Sequence, residues 1–327
     1  MDEFDQIPET ARAWIDQGRR VALATVVATW GSAPRQVGAQ LVIDANGAFE
    51  GSVSGGCVEG AVVLEAVEAI ATDTCRLIEF GVSDEDAFAV GLACGGTIRV
   101  LVEPVDAGQG WSIAVLDSLL AARAARKAVA VSVDLTTWER RLIVADDPDG
   151  ALRNRFAGDF SGIDDGHFIA IHNPPLRLII VGAVHIAQAL VPMARLAGYD
   201  VVLCDPRGAF AAGARFPGIE VQDDWPDEVV MAQNLDARSA LVTLAHDPKI
   251  DDPAIFEALK TEAFYIGCLG SRRTHAKRLE RLRAGGVTEE QIGRIYGPAG
   301  LDIGARGPAE IAVSVLAQMV EVLRQRR

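Results

Sequence analysis

With 327 residues, half of them hydrophobic, the chain is long enough for two cores, because a single core stops growing near about 250 to 300 residues. A formal charge of -14 excludes a broad electrostatic footprint for nucleic acid or an anionic membrane surface, so an anionic ligand must find a local basic pocket. The acidic start Met1-Asp2-Glu3-Phe4-Asp5 does not read as a secretory signal, no apolar run reaches the roughly 20 residues of a membrane span, and five cysteines without a CxxC pair fit neither a disulfide framework nor a zinc site, so a cytoplasmic protein with free thiols is expected.

A short amphipathic helix is predicted over Phe4 to Gln17, then a half-buried strand over Val21 to Ala28 that ends in the loop Thr29-Trp30-Gly31-Ser32-Ala33-Pro34-Arg35. Gln40 to Asp44 alternates and runs into Ala45-Asn46-Gly47, where Asn-Gly supplies the positive φ of a tight hairpin. The glycine-rich stretch Gly51 to Glu59, with Gly55, Gly56 and Cys57, leads into a helical pattern from Val58 to Ile70 and places Cys57 at a helix N-terminus. A second glycine-flanked thiol, Cys94, lies in Gly91 to Gly96, ahead of a strand over Thr97 to Val102. A helix over Trp111 to Ala124 and strands over Ala128 to Val133 and Arg141 to Val144 follow, then a polar stretch without a clear pattern. Asn173-Pro174-Pro175 reads as the linker, giving domains over 1–173 and 176–327. Beyond it, buried-strand patterns at Arg177 to Val181, Asp200 to Cys204, Ala240 to Ala245 and Phe264 to Cys268 alternate with helical ones. That alternation predicts an α/β domain with a doubly wound parallel sheet, and an apolar helix over Ala309 to Leu323 is left to pack on its core or on a partner.

Leu178 to Ala187 occupies the place of a dinucleotide fingerprint, with Gly182 and His185 in the loop and Asp205 after the second strand at the distance of a ribose-binding acid. Val184 and Ala187 stand where glycines are usual, and a valine side chain obstructs the approach of a pyrophosphate, so the Rossmann-like fold is better supported than NAD(P) binding. Tyr265 to His275 is a strand ending in glycines and opening a basic helix: Gly270, Ser271, Arg272 and Arg273 compose an anion site, while Lys277, Arg278, Arg281 and Arg283 read as its solvated face. His246 beside Asp247 is either a proton-transfer group or a loop cap. Cys57, set among glycine amides, is a candidate soft ligand or sulfur-handling nucleophile, as is Cys94. Cys75, Cys204 and Cys268 read as small buried hydrophobes, and Arg35 is a candidate anion contact.

Together these stretches, with Gly300 to Ala305, resemble the xanthine dehydrogenase accessory protein family, the XdhC/CoxI family, across nearly the whole chain. The resemblance implies an N-terminal α+β XdhC/CoxI-type domain joined to the Rossmann-like one. It also implies a protein that binds molybdenum cofactor (molybdopterin), protects it during sulfuration by a cysteine desulfurase, and helps deliver it to the apo-enzyme of a molybdenum hydroxylase. Arg207 matches the segment after the second strand along with Asp205. On this reading the arginines hold the cofactor's phosphate, and Cys57 is a molybdenum contact or handles sulfur; the protein is then a chaperone more than a catalyst. Two alternatives stay open: an NAD(P)-dependent oxidoreductase using His246, and a cofactor-free docking protein for the hydroxylase or the desulfurase. Homodimer formation also stays open.

Overall fold

The computed structural model describes residues 6–31, 35–81, 96–145, 152–208 and 215–325. The chain divides into two compact units that adjoin in sequence at Pro174 and Pro175.

The N-terminal unit runs α1 (Ile7–Asp16), β1 (Val21–Trp30), β2 (Gln40–Asp44), β3 (Phe49–Gly51), α2 (Glu59–Thr72), β4 (Arg76–Phe80), β5 (Thr97–Pro104), α3 (Ile113–Ala124), β6 (Val129–Asp134), β7 (Arg140–Val144), α4 (Arg153–Gly158), β8 (Gly162–Asp164) and β9 (His167–His172). One antiparallel sheet has the order β3-β2-β1-β5-β4 and a second the order β7-β6-β9-β8. The Asn-Gly hairpin joins β2 to β3, with Gly47 at φ +82° and Asp44 Oδ1 accepting from the amides of Asn46 and Ala48.

The strand β1 is covered on both faces, not half-buried as its sequence suggests. Val21 and Leu23 join a core with α1, α3 and the second sheet, whereas Ala22, Ala24 and Val26 face Val62, Ala66 and Ala69 of α2. The alternating alanines make room for a helix at close approach, which is why a face of small residues is as deeply covered as the valine face. Across the two sheets, Arg140 on β7 forms a buried ion pair with Glu103 on β5. Its remaining donors reach the carbonyls of Gln109, Gly110 and Trp138, and Trp111 Nε1 donates to Glu103. A buried pair with its donors answered is the arrangement in which buried charge is tolerated.

The C-terminal unit runs β10 (Leu176–Val181), α5 (His185–Leu196), β11 (Tyr199–Cys204), β12 (Val221–Gln222), α6 (Pro226–Gln233), β13 (Ser239–Thr243), α7 (Pro248–Ala258), β14 (Tyr265–Cys268), α8 (Arg272–Ala284), α9 (Glu289–Ile292), β15 (Ile295–Tyr296) and α10 (Pro308–Gln325). Its six strands are all parallel in the order β12-β11-β10-β13-β14-β15, the doubly wound arrangement of a Rossmann domain. Successive side chains of β10 separate to the two faces, as the two-residue period of a strand requires. Leu178 and Ile180 pack with Leu190, Val315 and Met319, and Ile179 and Val181 with Val230, Ile255 and Leu282. The apolar C-terminal helix α10 is thereby placed on the Rossmann core of its own chain. Among the described residues no helix is long and apolar enough to cross a membrane.

Candidate functional site

In a parallel sheet the carboxyl ends of the strands are the place for ligands. There, past the ends of β13 and β14, a cavity of about 240 Å³ opens between α7 and α8. Arg273, Lys277, Arg278 and Arg281 of α8 face Asp251 and Asp252 of α7 across it, with His246 at the rim. Ser271 sets the start of α8: its Oγ accepts from the Thr274 amide at 3.1 Å, as an N-cap should, after Gly270 at φ +140° has turned the chain out of β14. Arg272 and Arg273 are exposed; Arg273 lines the cavity and Arg272 is not among its lining residues.

Arg278 overturns the reading of this helix as a solvated basic face, because its side chain is only 2% exposed. It shares the inner side of α8 with Leu282, four residues on and fully buried. Its Nη2 donates to the Leu269 carbonyl at 3.0 Å and stands 3.8 Å from Asp251 Oδ2, while Nε and Nη1 have no partner. Arg281 is different: it clasps Asp252 through Nε at 2.5 Å and Nη2 at 3.0 Å, and is neutralised locally. Arg283 pairs with Glu289 outside the cavity. Burial pushes the Asp251 carboxyl up to about 7, against the pull of Arg278 and of the Ala245 and His246 amides. His246 has its ring edge in solvent and an unusual φ of +61°, and partial desolvation together with Arg278 holds its imidazole below the ordinary histidine value. Non-glycine residues in that conformation concentrate at functional sites.

The first loop of the Rossmann domain is built differently from an open dinucleotide crevice. Gly182, at φ +106°, sits where a Cβ would lie 2.8 Å from the Ala245 amide nitrogen, so glycine is required by the approach of its own chain. Asp205 is fully buried and its carboxylate accepts four bonds: from the Ala183 amide at 2.8 Å, and from the Arg207 amide, Nε and Nη2 at 3.0, 2.9 and 2.8 Å. Burial alone would raise this carboxyl, but the Arg207 and backbone donors outweigh it and hold it below the usual carboxylate range. His185, the first residue of α5, is exposed.

In the N-terminal unit the loop before α2 closes around a residue that sequence reasoning passed over. Glu59, 6% exposed, accepts from Ser52 Oγ, from the amides of Val53, Ser54 and Gly56, and from Ser54 Oγ. Ser54 Oγ in turn accepts from the Cys57 and Val58 amides at 3.0 and 2.9 Å. Desolvation raises the Glu59 carboxyl, yet these donors win and bring it down to about 2. Cys57 is half-buried beside this loop, and the amide of Gly56, like its own, is engaged within the loop rather than directed at its thiol. Gly55 and Gly56 adopt φ of +78° and +112°, which the tight wrap demands. The loop joins β2 through the Ser52 amide and the Gln40 carbonyl; Arg35, half-buried, belongs to the segment leading into that strand. Cys94 lies outside the described residues. Burial pushes the Cys75, Cys204 and Cys268 thiols up to about 11, 12 and 11, the state of structural cysteines.

The XdhC Rossmann domain matches residues 178–319 and the XdhC and CoxI family matches residues 14–81. A protein of Escherichia coli (strain K12) named molybdenum cofactor insertion chaperone PaoD is 31% identical over 305 residues, which span 93% of this chain and 84% of that protein. The chain belongs to the XdhC and CoxI family. A second relative, from Bacillus subtilis (strain 168) and named as a probable xanthine dehydrogenase component, is 29% identical over 329 residues, 96% of each chain. A crystal structure from Bacillus halodurans, described as a xanthine dehydrogenase, superposes with a TM-score of 0.76 at 26% identity, covering 98% of this chain and 96% of that one. The XdhC Rossmann match includes every residue lining the cavity, and the XdhC and CoxI match includes Arg35, the Glu59 loop and Cys57.

Proposed function

We propose that this XdhC/CoxI chain is a molybdenum-cofactor-binding accessory protein: a chaperone that holds the cofactor through sulfuration by a cysteine desulfurase and through insertion into a molybdenum hydroxylase of the xanthine dehydrogenase kind. The observation that carries the reading is the cavity at the strand ends of the C-terminal unit, where four cations face two carboxylates in a chain of net charge -14. A relative named for insertion of this cofactor, similar over most of both chains, supports it.

Molybdopterin is an anionic phosphate ester carrying metal on a dithiolene, so its carrier must supply positive donors for the phosphate and shelter for the metal end. Arg273 and Arg278 are assigned the first task; Cys57, and Cys94 with it, the second, as soft sulfur donors or as handlers of the transferred sulfur. A cytoplasmic location goes with reduced thiols of this sort. An NAD(P)-dependent oxidoreductase is less well supported, since the Ala183 amide and Asp205, which would face pyrophosphate and ribose, are already bonded to each other.

The test is to express the protein in a host that makes the cofactor and to measure molybdenum and pterin per chain. Substoichiometric but reproducible loading is expected, because a carrier must release its cargo. Pterin no higher than in an unrelated acidic control, together with tight NADH or NADPH binding and turnover of a small substrate, would replace the carrier with the dehydrogenase.

A further inference from the structure

We propose that the cavity between α7 and α8 is a subsite for the phosphate group of an anionic ligand, a dianionic monoester or a diphosphate, with Arg278 as its buried anchor. The identity of the whole ligand rests on the carrier reading above; the chemistry of the subsite does not.

Arg278 is the starting point. A guanidinium stays charged at any pH the protein meets, and burying it is costly unless its donors are answered. Here Nη2 alone is answered, by the Leu269 carbonyl, and Asp251 at 3.8 Å is beyond hydrogen-bond reach. Two nitrogens at the wall of a cavity therefore lack acceptors, and the missing partner must be an acceptor that enters from the cavity.

The neighbours decide the sign and size of that partner. Arg281 and Asp252 cancel each other, whereas Arg273 and Lys277 stand exposed at the mouth and add to the charge of Arg278. Asp251 does not offset this fully at neutral pH, since burial favours its protonated form. The amino end of α8 contributes further positive potential. A volume of about 240 Å³ is below the roughly 300 to 1,000 Å³ of sites that enclose drug-sized ligands, so the cavity accepts the charged end of a ligand and leaves the remainder outside.

Calorimetric titration of the full chain at low ionic strength with inorganic phosphate, pyrophosphate and a nucleoside monophosphate reads the subsite without the cofactor. Saturable binding is expected, weakened at least about tenfold in Arg278→Met, which keeps the apolar stem and removes the charge. Arg283→Ala, outside the cavity, leaves binding unchanged. Should Arg278→Met fail to fold by circular dichroism, the exposed variants Arg273→Ala and Lys277→Ala decide, each expected to weaken binding about threefold or more and to flatten its salt dependence. The proposal is overturned if the parent shows no saturable phosphate binding, if folded Arg278→Met binds phosphate like the parent, or if molybdate is bound in preference to every phosphate. Cofactor retention by a chain that binds no phosphate sinks the subsite alone; phosphate binding by a chain that never retains cofactor sinks the carrier reading alone.

Discussion

Asp251 is buried under the cavity with one arginine nearby and out of hydrogen-bond range, and its carboxyl stands at about 7 where an exposed aspartate has 3.8. A folded-state value raised above the unfolded one means that the fold binds a proton that the unfolded chain releases. The associated stability is fully present below the unfolded value and is lost as pH rises through 7. Asp251→Asn, which fixes the neutral form, is expected to stabilise the protein by about 1 to 2 kcal/mol at pH 8, a gain that shrinks toward zero as pH falls to 4. Urea unfolding at the two pH values checks this, and destabilisation at pH 8 would mean that Arg278 depends on the full charge. Arg278 itself shows the limit of reading residues one at a time. A run of arginines and lysines on a helix has a charge that is visible in sequence, but which of them turns inward depends on the phase set by Ser271. Leu282, four residues on, marks that phase only once the start of the helix is fixed.

At the level of elements, the stretch from Ser52 to Glu59 was legible as a glycine-rich loop opening a helix, and the hairpin before it was legible from Asn46-Gly47. What the loop is for was not. Positive partial charge at a helix start favours a thiolate only if the amides point at the thiol, and here the Cys57 and Val58 amides point at Ser54 while those of Ser54 and Gly56 point at Glu59. Glu59 is the organising group, and no spacing rule predicts that a carboxylate will fold the preceding loop around itself. Its folded value of about 2 lies below the ordinary 4.5, so its contribution is present above pH 4.5 and fades as pH falls toward 2. Glu59→Gln turns one acceptor oxygen into a donor facing other donors, and is expected to cost about 2 to 3 kcal/mol at pH 7. The difference in denaturation midpoint between variant and parent should then narrow in acid; a constant difference would assign the loss to packing.

For the whole molecule, the two-part plan was readable because length, the double proline and the change from mixed to strictly alternating strand and helix patterns coincide near Pro174. The second antiparallel sheet was not readable past Val144, because its strands β8 and β9 are short and follow a polar stretch whose period is neither two nor 3.6. The division matters for function, since Cys57 belongs to one unit and the arginines to the other, and the proposed tasks can be separated. In a strain whose hydroxylase is matured with the Cys57→Ala chain, the enzyme is expected to carry less cyanide-releasable sulfur while pterin retained by the carrier stays near the parental level. Equal loss of both would mean that Cys57 supports binding or folding.

The four-bonded carboxylate of Asp205 has a bearing on life in a crowded cell. Nicotinamide dinucleotides are abundant wherever metabolism runs, and a parallel-sheet crevice with a free acid after its second strand would fill with them before a scarce cargo arrived. With Arg207 folded back as a latch and the Ala183 amide turned inward, the commonest nucleotide guests find their handholds already taken. Selectivity of this kind comes from self-occupation, and needs no special complementarity toward the rarer molecule.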